Sequence, residues 1–457
     1  MSGYFEEADP ARIAREYPIG EAFLRGPARL DPERLRALQQ ARLEAVLARA
    51  WRIPFYARRW RAAGLEPGDV RTIEDLPRLP AFSKSDLMRN VEEHPPLGDF
   101  HGRDLPDAPR HVVLHTTSGT TGAPQPLVYG PRDREIQNCL LARAYRLQGL
   151  RDDDVVHSVY GFGMVNGGHY IRETLLHYTG CLALTAGTGV ETPSVQQVRL
   201  MQHFGVTALV GFGDYMTRLA EVARTEGIEP GRDIRLRLIS GHVDHATRDA
   251  LSAAWGGAPV RDWYGVGDTG ILAAEGPEPG ALFLWEDAHL VEVVDPDSGR
   301  PLPDGETGNL CVTVLFKDGI YPIVRFDTKD LSRVLPGRAE PVPAFRRIAG
   351  FLGRSDNMVK LRGVNVYPTA VAGWLRDLAP ATGEYICRVE RVDGVDRMTV
   401  EVEWQGARDA RTAAAVAAHL RARAGVELVI ELVAPGATAA RTGVERRQKP
   451  VRLVDAR

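Results

Sequence analysis

Five segments of this 457-residue chain combine residue types that can hold anions and nucleotides. In Thr116-Thr117-Ser118-Gly119-Thr120-Thr121-Gly122, glycines allow a tight fold that turns several backbone N–H groups toward one anion, and hydroxyls add donors without bulk. Such a loop suits a polyphosphate; alone it is equally a polar surface turn. No lysine stands close behind it, since Ala123-Pro124-Gln125 follow, so it is not the GxxxxGK[ST] phosphate loop. In Tyr264-Gly265-Val266-Gly267-Asp268-Thr269-Gly270 an aromatic ring can stack a purine and a carboxylate can hold Mg²⁺ beside phosphates. A plain glycine-rich turn is the other reading. In Arg325-Phe326-Asp327-Thr328-Lys329-Asp330 a strand-end carboxylate can accept both hydroxyls of a ribose; otherwise this is a solvated charge cluster. Gly353-Arg354-Ser355-Asp356-Asn357-Met358 falls where the texture of the chain changes, as an interdomain hinge would. Lys449 stands in the basic tail RTGVERRQKPVRLVDAR.

The elements that must position these residues follow from periodicity. Residues 31–64 carry Leu, Ala and Arg at helical spacing and predict one or two surface helices. From about 111 the pattern becomes strand, loop, helix, repeated. HVVLH is a strand, RDREIQNCLLARAYRLQG (132–149) a helix, and TALVG, RLRLIS and APVRDWYG further strands. This alternation predicts a mostly parallel sheet with helices on both faces. After 285, HLVEVVD, GNLCVTVLF and YPIVRFD read as strands joined by DPDSG and PDGETG turns, a small antiparallel sheet or distorted barrel. From about 356 a compact α+β unit follows, and residues 434–449 read as mobile. The expected fold is α/β: a large N-terminal domain (1–353) with parallel sheets flanked by helices plus the small distorted barrel, and a small mobile α+β C-terminal domain (354–457) hinged at 354–356.

Composition sets outer bounds. A net charge of −3 gives no electrostatic case for nucleic acid. No apolar run approaches the roughly 18 residues of a membrane span, and the acidic start lacks a signal-peptide pattern, so the expectation is a cytoplasmic protein without a membrane partner. Cys139, Cys181, Cys311 and Cys387 are far apart and form no CxxC pair, which argues against a disulfide framework or a zinc site.

Taken in order, the motifs resemble the adenylate-forming superfamily of acyl-CoA synthetases, adenylation domains and luciferases. Within it, LPAFSKSDL, TTSGTTGAP, VYGFGMVNGG, WYGVGDTG, LWEDAHLVEVVDPDSG, VRFDTKDLSR and GRSDNMVKLRGVNVYP resemble the phenylacetate–CoA ligase branch, from about residue 35 to 457. The resemblance implies that Thr117, Ser118, Gly119, Thr120, Thr121 and Gly122 close over ATP phosphates. Tyr264 and Gly265, with Gly241 and His242, would lie at the adenine, and Asp268 would take the place of the magnesium-binding glutamate. Asp330 would hold the ribose, helped by Arg354; Asp356 would be the hinge. Lys449 would contact carboxylate and α-phosphate during adenylation, and 362–365 would meet coenzyme A after rotation. Tyr160, Phe162, Val165, Asn166 and His169, with His242, would line the acyl pocket.

Departures accompany the match. The loop lacks its lysine, Asp268 is one methylene shorter than glutamate, Ser240-Gly241-His242-Val243-Asp244 replaces Gly-Ala-Glu, and a cysteine cluster common before the hinge is absent. The expected activity is activation of a small aromatic acid, of amino- or hydroxy-substituted benzoate or cinnamate type, as an acyl-adenylate with ATP and Mg²⁺. Transfer to coenzyme A would follow, without zinc. A carrier-protein thiol, an amine or nitrite-dependent diazotisation of an arylamine are alternative endings, and a nucleotide-binding protein without catalysis is the reading from another class. A homodimer is compatible with all of them.

Overall fold

The computed structural model describes residues 3–117, 124–243, 245, 247–357, 359–362, 364–392, 395–443 and 450–457. Ser118, Gly119, Thr120, Thr121, Gly122, Asp244, Gly363 and Lys449 lie outside the described residues. The expected surface helices are Pro32–Trp51 and Pro54–Ala62, each opened by a proline that fits the first helical turn.

A nine-stranded sheet forms the centre. Five neighbouring strands, Val260–Val266, Leu238–His242, Ala208–Phe212, Val155–Ser158 and Leu182–Thr185, run parallel. Four further strands, Gly270–Glu275, Leu282–Leu284, Arg347–Ile348 and Val334–Leu335, extend it antiparallel. Parallel strands need long crossovers, and the helices Asn166–Tyr178, Ser194–His203, Gly213–Thr225 and Arg248–Ala254 supply them. The helix Pro131–Leu147 is buried along nearly its whole length, and its buried residues include the polar Asp133, Arg134, Glu135, Gln137, Asn138 and Arg143.

The second sheet differs from the distorted barrel expected. Phe82–Ser83, Phe326–Ser332, Gly308–Val314 and His289–Val294 lie in that order, with Gly353–Arg354 also on Phe326–Ser332, and the sheet is open. The strand expected over 321–327 begins only at Phe326. Tyr321 and Arg325 hold positive φ of 46° and 56°, left-handed conformations that interrupt an extended run.

The phosphate-loop candidate also sits differently from the strand–loop–helix expected. Val113–Thr116 and Pro126–Tyr129 pair antiparallel, Thr116 opposite Pro126, and the long helix starts only after this pair.

Residues from Val359 onward build their own core around Tyr385, Val400, Val402 and Leu420. There a four-stranded sheet runs Val429–Val433, Val395–Trp404, Ala381–Val392, Leu453–Asp455. The tail thus returns: Leu453–Asp455 pairs in parallel with Ala381–Val392, and part of the stretch read as mobile forms the helical turn Ala439–Thr442. Among the described residues no helix is long and apolar enough to cross a membrane.

Candidate functional site

Sheet register brings the proposed ribose and hinge residues together. Asp330 and Arg354 are direct cross-strand partners in the Phe326–Ser332/Gly353–Arg354 pair. The Asp330 carboxylate is buried, accepting from Tyr264 Oη at 2.7 Å on one oxygen and from Arg354 Nη1 at 2.7 Å on the other. Arg354 then reaches Asp356 through Nε and Nη2, at 2.8 and 2.7 Å. Burial works against the guanidinium, but Asp356 and Asp330 more than offset it and keep it charged. Tyr264 is itself buried, and burial with Asp330 nearby holds its phenol protonated as a donor.

Around the adenine position the glycines answer to backbone crowding. A Cβ on Gly241 would stand 1.8 Å from the Gly211 carbonyl oxygen of the neighbouring parallel strand, and one on Gly265 2.5 Å from that of Gly270. His242 is enclosed by rings: it stacks on Phe212 at 4.8 Å and 14°, and lies 4.1 Å from Trp263. Its Nδ1 is 3.0 Å from Tyr160 Oη, which also donates to Gly211 O at 3.1 Å. Tyr160 is therefore a buried support of His242.

Asp268 occupies a polar pocket lined by Gln125, Tyr321 and Lys317. Its Oδ1 accepts from Gln125 Nε2 at 2.6 Å and from Tyr321 Oη, while its backbone carbonyl accepts from Lys317 Nζ at 2.7 Å. Gln125, Tyr321 and Lys317 are all fully buried. Burial pulls Lys317 down to about 8, with Asp133 and Asp268 opposing. Thr117 N–H donates to Gln125 O at 3.2 Å, so the base of the hairpin loop and the Asp268 pocket share a residue. Among the described residues no three His, Cys, Asp or Glu side chains gather as a metal cage. A single carboxylate fits Mg²⁺ held mainly by substrate phosphates and water.

The acyl segment joins the same place. Thr116 N–H donates to Met164 O at 2.7 Å, one residue before Thr117. Phe162 meets His169 edge-on at 5.2 Å, and His169 lies 5.1 Å from His115. His169 Nε2 donates to Gly163 O at 2.9 Å. Val165 caps the helix Asn166–Tyr178, and Asn166 Oδ1 lies 3.4 Å from Arg134 Nη1. Arg134 pairs twice with Glu173, at 2.5 and 2.7 Å, and donates to His115 Nε2 at 3.2 Å.

Sequence reasoning missed Lys84, Gln125, Tyr321, Lys317, Arg134 and His115. Lys84 lies within LPAFSKSDL and Gln125 directly follows TTSGTTGAP, so both carried a signal. Tyr321 and Lys317 carried none, because their roles come from burial beside Asp268.

In comparison with known proteins, residues 29–314 match the family described as AMP-binding enzyme, and residues 363–457 match the AMP-binding enzyme C-terminal domain. The chain is 32% identical over 398 residues to a phenylacetate-coenzyme A ligase of Aromatoleum evansii, covering 82% of this chain and 84% of that protein. A crystal structure of 2-hydroxyisobutyryl-CoA ligase in the postadenylation state, with R3-HIB-AMP, superposes with TM-score 0.81 at 26% identity over 97% of this chain and 92% of that one. The same ligase in the thioesterification state, with 2-HIB-AMP and CoA, gives 0.67 at 27% identity over 94% and 91%.

Proposed function

Because this chain belongs to the AMP-binding enzyme family of AMP-forming acid ligases, we propose that it activates a small aromatic carboxylic acid with ATP and passes the acyl group to coenzyme A. The hydrogen bond from Thr116 N–H to Met164 O carries the reading. It ties the acyl segment to the root of the phosphate loop, so a carboxylate held by the one meets the α-phosphate of a nucleotide held by the other.

Positioning and charge do the work. Asp330, braced by Tyr264 and Arg354, holds the ribose. A carboxylate oxygen attacks the α-phosphorus in line and pyrophosphate leaves. Mg²⁺ beside Asp268 would neutralise phosphate charge. Lys449, whose role is read from the sequence, offsets repulsion between carboxylate and α-phosphate. The coenzyme A thiolate then attacks the acyl carbon and AMP departs. The hinge is at 354–356: the separate core beyond Val359 and the better superposition on a postadenylation state than on a thioesterification state support a small domain that turns as a unit.

For the acid, the rings of Phe162, His169 and His115 favour an aromatic group. An amino or hydroxy substituent is the finer reading, through Asn166, His169 or His242. All three already have protein partners. A panel of arylcarboxylates, followed by pyrophosphate release and by acyl-CoA formation, tests this. Release without any thioester would point to another acceptor; no release with any acid would overturn the reading.

A further inference from the structure

Two loops leave the carboxyl ends of neighbouring parallel strands at the edge of the large sheet, where open α/β sheets take their ligands. Val155–Ser158 runs into the acyl segment, and Leu182–Thr185 runs into residues 186–193. The second loop is tied to the first strand: the N–H groups of Ala186 and Gly187 both donate to Ser158 O, at 3.0 and 3.3 Å. From within, the fully buried Gln197 holds it. Its Nε2 lies 3.1, 3.1 and 2.8 Å from the carbonyl oxygens of Gly187, Thr188 and Thr192, and its Oε1 lies 2.9 Å from His157 Nε2. Thr192 Oγ1 donates to Ala186 O at 2.8 Å. The loop is therefore firmly based although its tip, at Val190, is exposed.

That base aims one carboxylate back at the acyl segment. Glu191 Oε1 accepts from Phe162 N–H at 2.7 Å, across 29 residues of sequence. Its Oε2 accepts from Thr188 N–H at 2.8 Å and from Thr188 Oγ1 at 2.5 Å. Burial pushes the Glu191 carboxyl up, but the Thr188 hydroxyl and the Phe162 N–H outweigh it and hold it below its ordinary range, an ionised acceptor. The backbone around Phe162 is otherwise held through carbonyls: Gly161 O, Gly163 O and Met164 O accept from Gly168, His169 and Thr116. At the Phe162 N–H the holder is Glu191, and Phe162 carries the ring that meets His169 edge-on.

We propose that Glu191 is a positioning residue that sets the Phe162 backbone, and through it the Phe162 ring, and so decides how long an acid the acyl site accepts. This rests on the reading that residues 160–169 line that site. The role concerns choice of acid and not ATP, because the ribose residues Tyr264, Asp330 and Arg354 stand on other strands.

The test takes wild-type, Glu191→Ala, Glu191→Gln and Phe162→Ala protein, the best acid of the arylcarboxylate panel, and its analogue one methylene longer. Pyrophosphate release gives kcat/KM for both acids, and hydrogen exchange followed by mass spectrometry of peptides spanning Phe162 reports on its amide. Glu191→Ala should lower the preference between the two acids by about three- to tenfold, the worth of one hydrogen bond to a charged acceptor at a partly exposed site, and should speed exchange at Phe162. KM for ATP should stay unchanged. Glu191→Gln, with one accepting oxygen left, should fall between wild type and Glu191→Ala. An unchanged preference in Glu191→Ala beside a changed one in Phe162→Ala would overturn the assignment, and so would unchanged exchange at Phe162. An unchanged preference in both variants would mean that the segment does not face the acid, which overturns the reading beneath the proposal.

Discussion

Arg354 stands directly across the sheet from Asp330 and divides its guanidinium between that carboxylate, at 2.7 Å, and Asp356, at 2.8 and 2.7 Å. The residue that braces the proposed ribose site therefore also grips the proposed hinge, so in this reading nucleotide occupancy and domain orientation would share one side chain. Asp330→Ala should weaken AMP binding about 10–100-fold, the effect of losing hydrogen bonds to a charged group. Tyr264→Phe, which removes one donor to Asp330, should weaken it less, by about 3–10-fold. Calorimetric titration with AMP checks both; equal effects would mean that Tyr264 does more than hold Asp330.

Asp268 is the second test. Asp268→Ala should slow pyrophosphate release by about 10²–10³-fold, as loss of a preorganised electrostatic group does. Asp268→Glu should also be slower than wild type, because an extra methylene must enter a pocket closed by fully buried Gln125 and Tyr321. Tyr321→Phe should cost less than either. Single-turnover pyrophosphate release separates the three.

The C-terminal tail offers a third. Arg452, three residues beyond Lys449, pairs with Glu384 at 2.8 and 3.0 Å and reaches Asp214 at 3.3 Å, at the start of the helix Gly213–Thr225. It links the small domain to the helix that follows Phe212, the ring on which His242 stacks. Lys449→Ala should slow adenylation by about 10²–10³-fold and leave adenylate consumption nearly intact. Asp214→Ala should act in the same direction but by no more than about fivefold, the usual range of a partly exposed pair. Comparing the two half-reactions in each variant decides it.

The motifs that meet here were legible in the sequence. Tyr264, Asp330 and Arg354 stand in motifs read separately; strand register sets Arg354 opposite Asp330, and Tyr264 reaches the same carboxylate from the other sheet. What stayed hidden depends on long-range pairing or on backbone that departs from its pattern. Lys84 is placed by a two-residue strand whose partner lies more than two hundred residues away, which no local periodicity reports. Tyr321 lay in a stretch that reads as a strand, and the strand begins only at Phe326, beyond the positive φ of Tyr321 and Arg325. The hairpin around the phosphate loop escaped because Pro126–Tyr129 is too short to interrupt the helical pattern behind it.

Acid should expose His115. Arg134, always charged, donates to His115 Nε2 at 3.2 Å, so that nitrogen must keep its lone pair. Burial first, then Arg134 and His169, push the imidazole from its ordinary 6.5 down to about 4, with the Met164 carbonyl and Glu173 opposing. Between those values the unfolded chain takes up a proton that the folded one refuses, so stability present above pH 6.5 falls as pH drops toward 4. Thermal melting across that window should show the decline, and His115→Gln should remove part of it. An unchanged slope in His115→Gln would mean that His115 is protonated in the folded protein.

The central claim is that an aryl carboxylate oxygen attacks the α-phosphorus of ATP. Carboxylate labelled with ¹⁸O, incubated with the protein, ATP, Mg²⁺ and coenzyme A, should deliver one labelled oxygen to the phosphate of AMP and none to pyrophosphate, as mass spectrometry of the two products would record. Label in inorganic phosphate or pyrophosphate, or AMP formed without label, would contradict it.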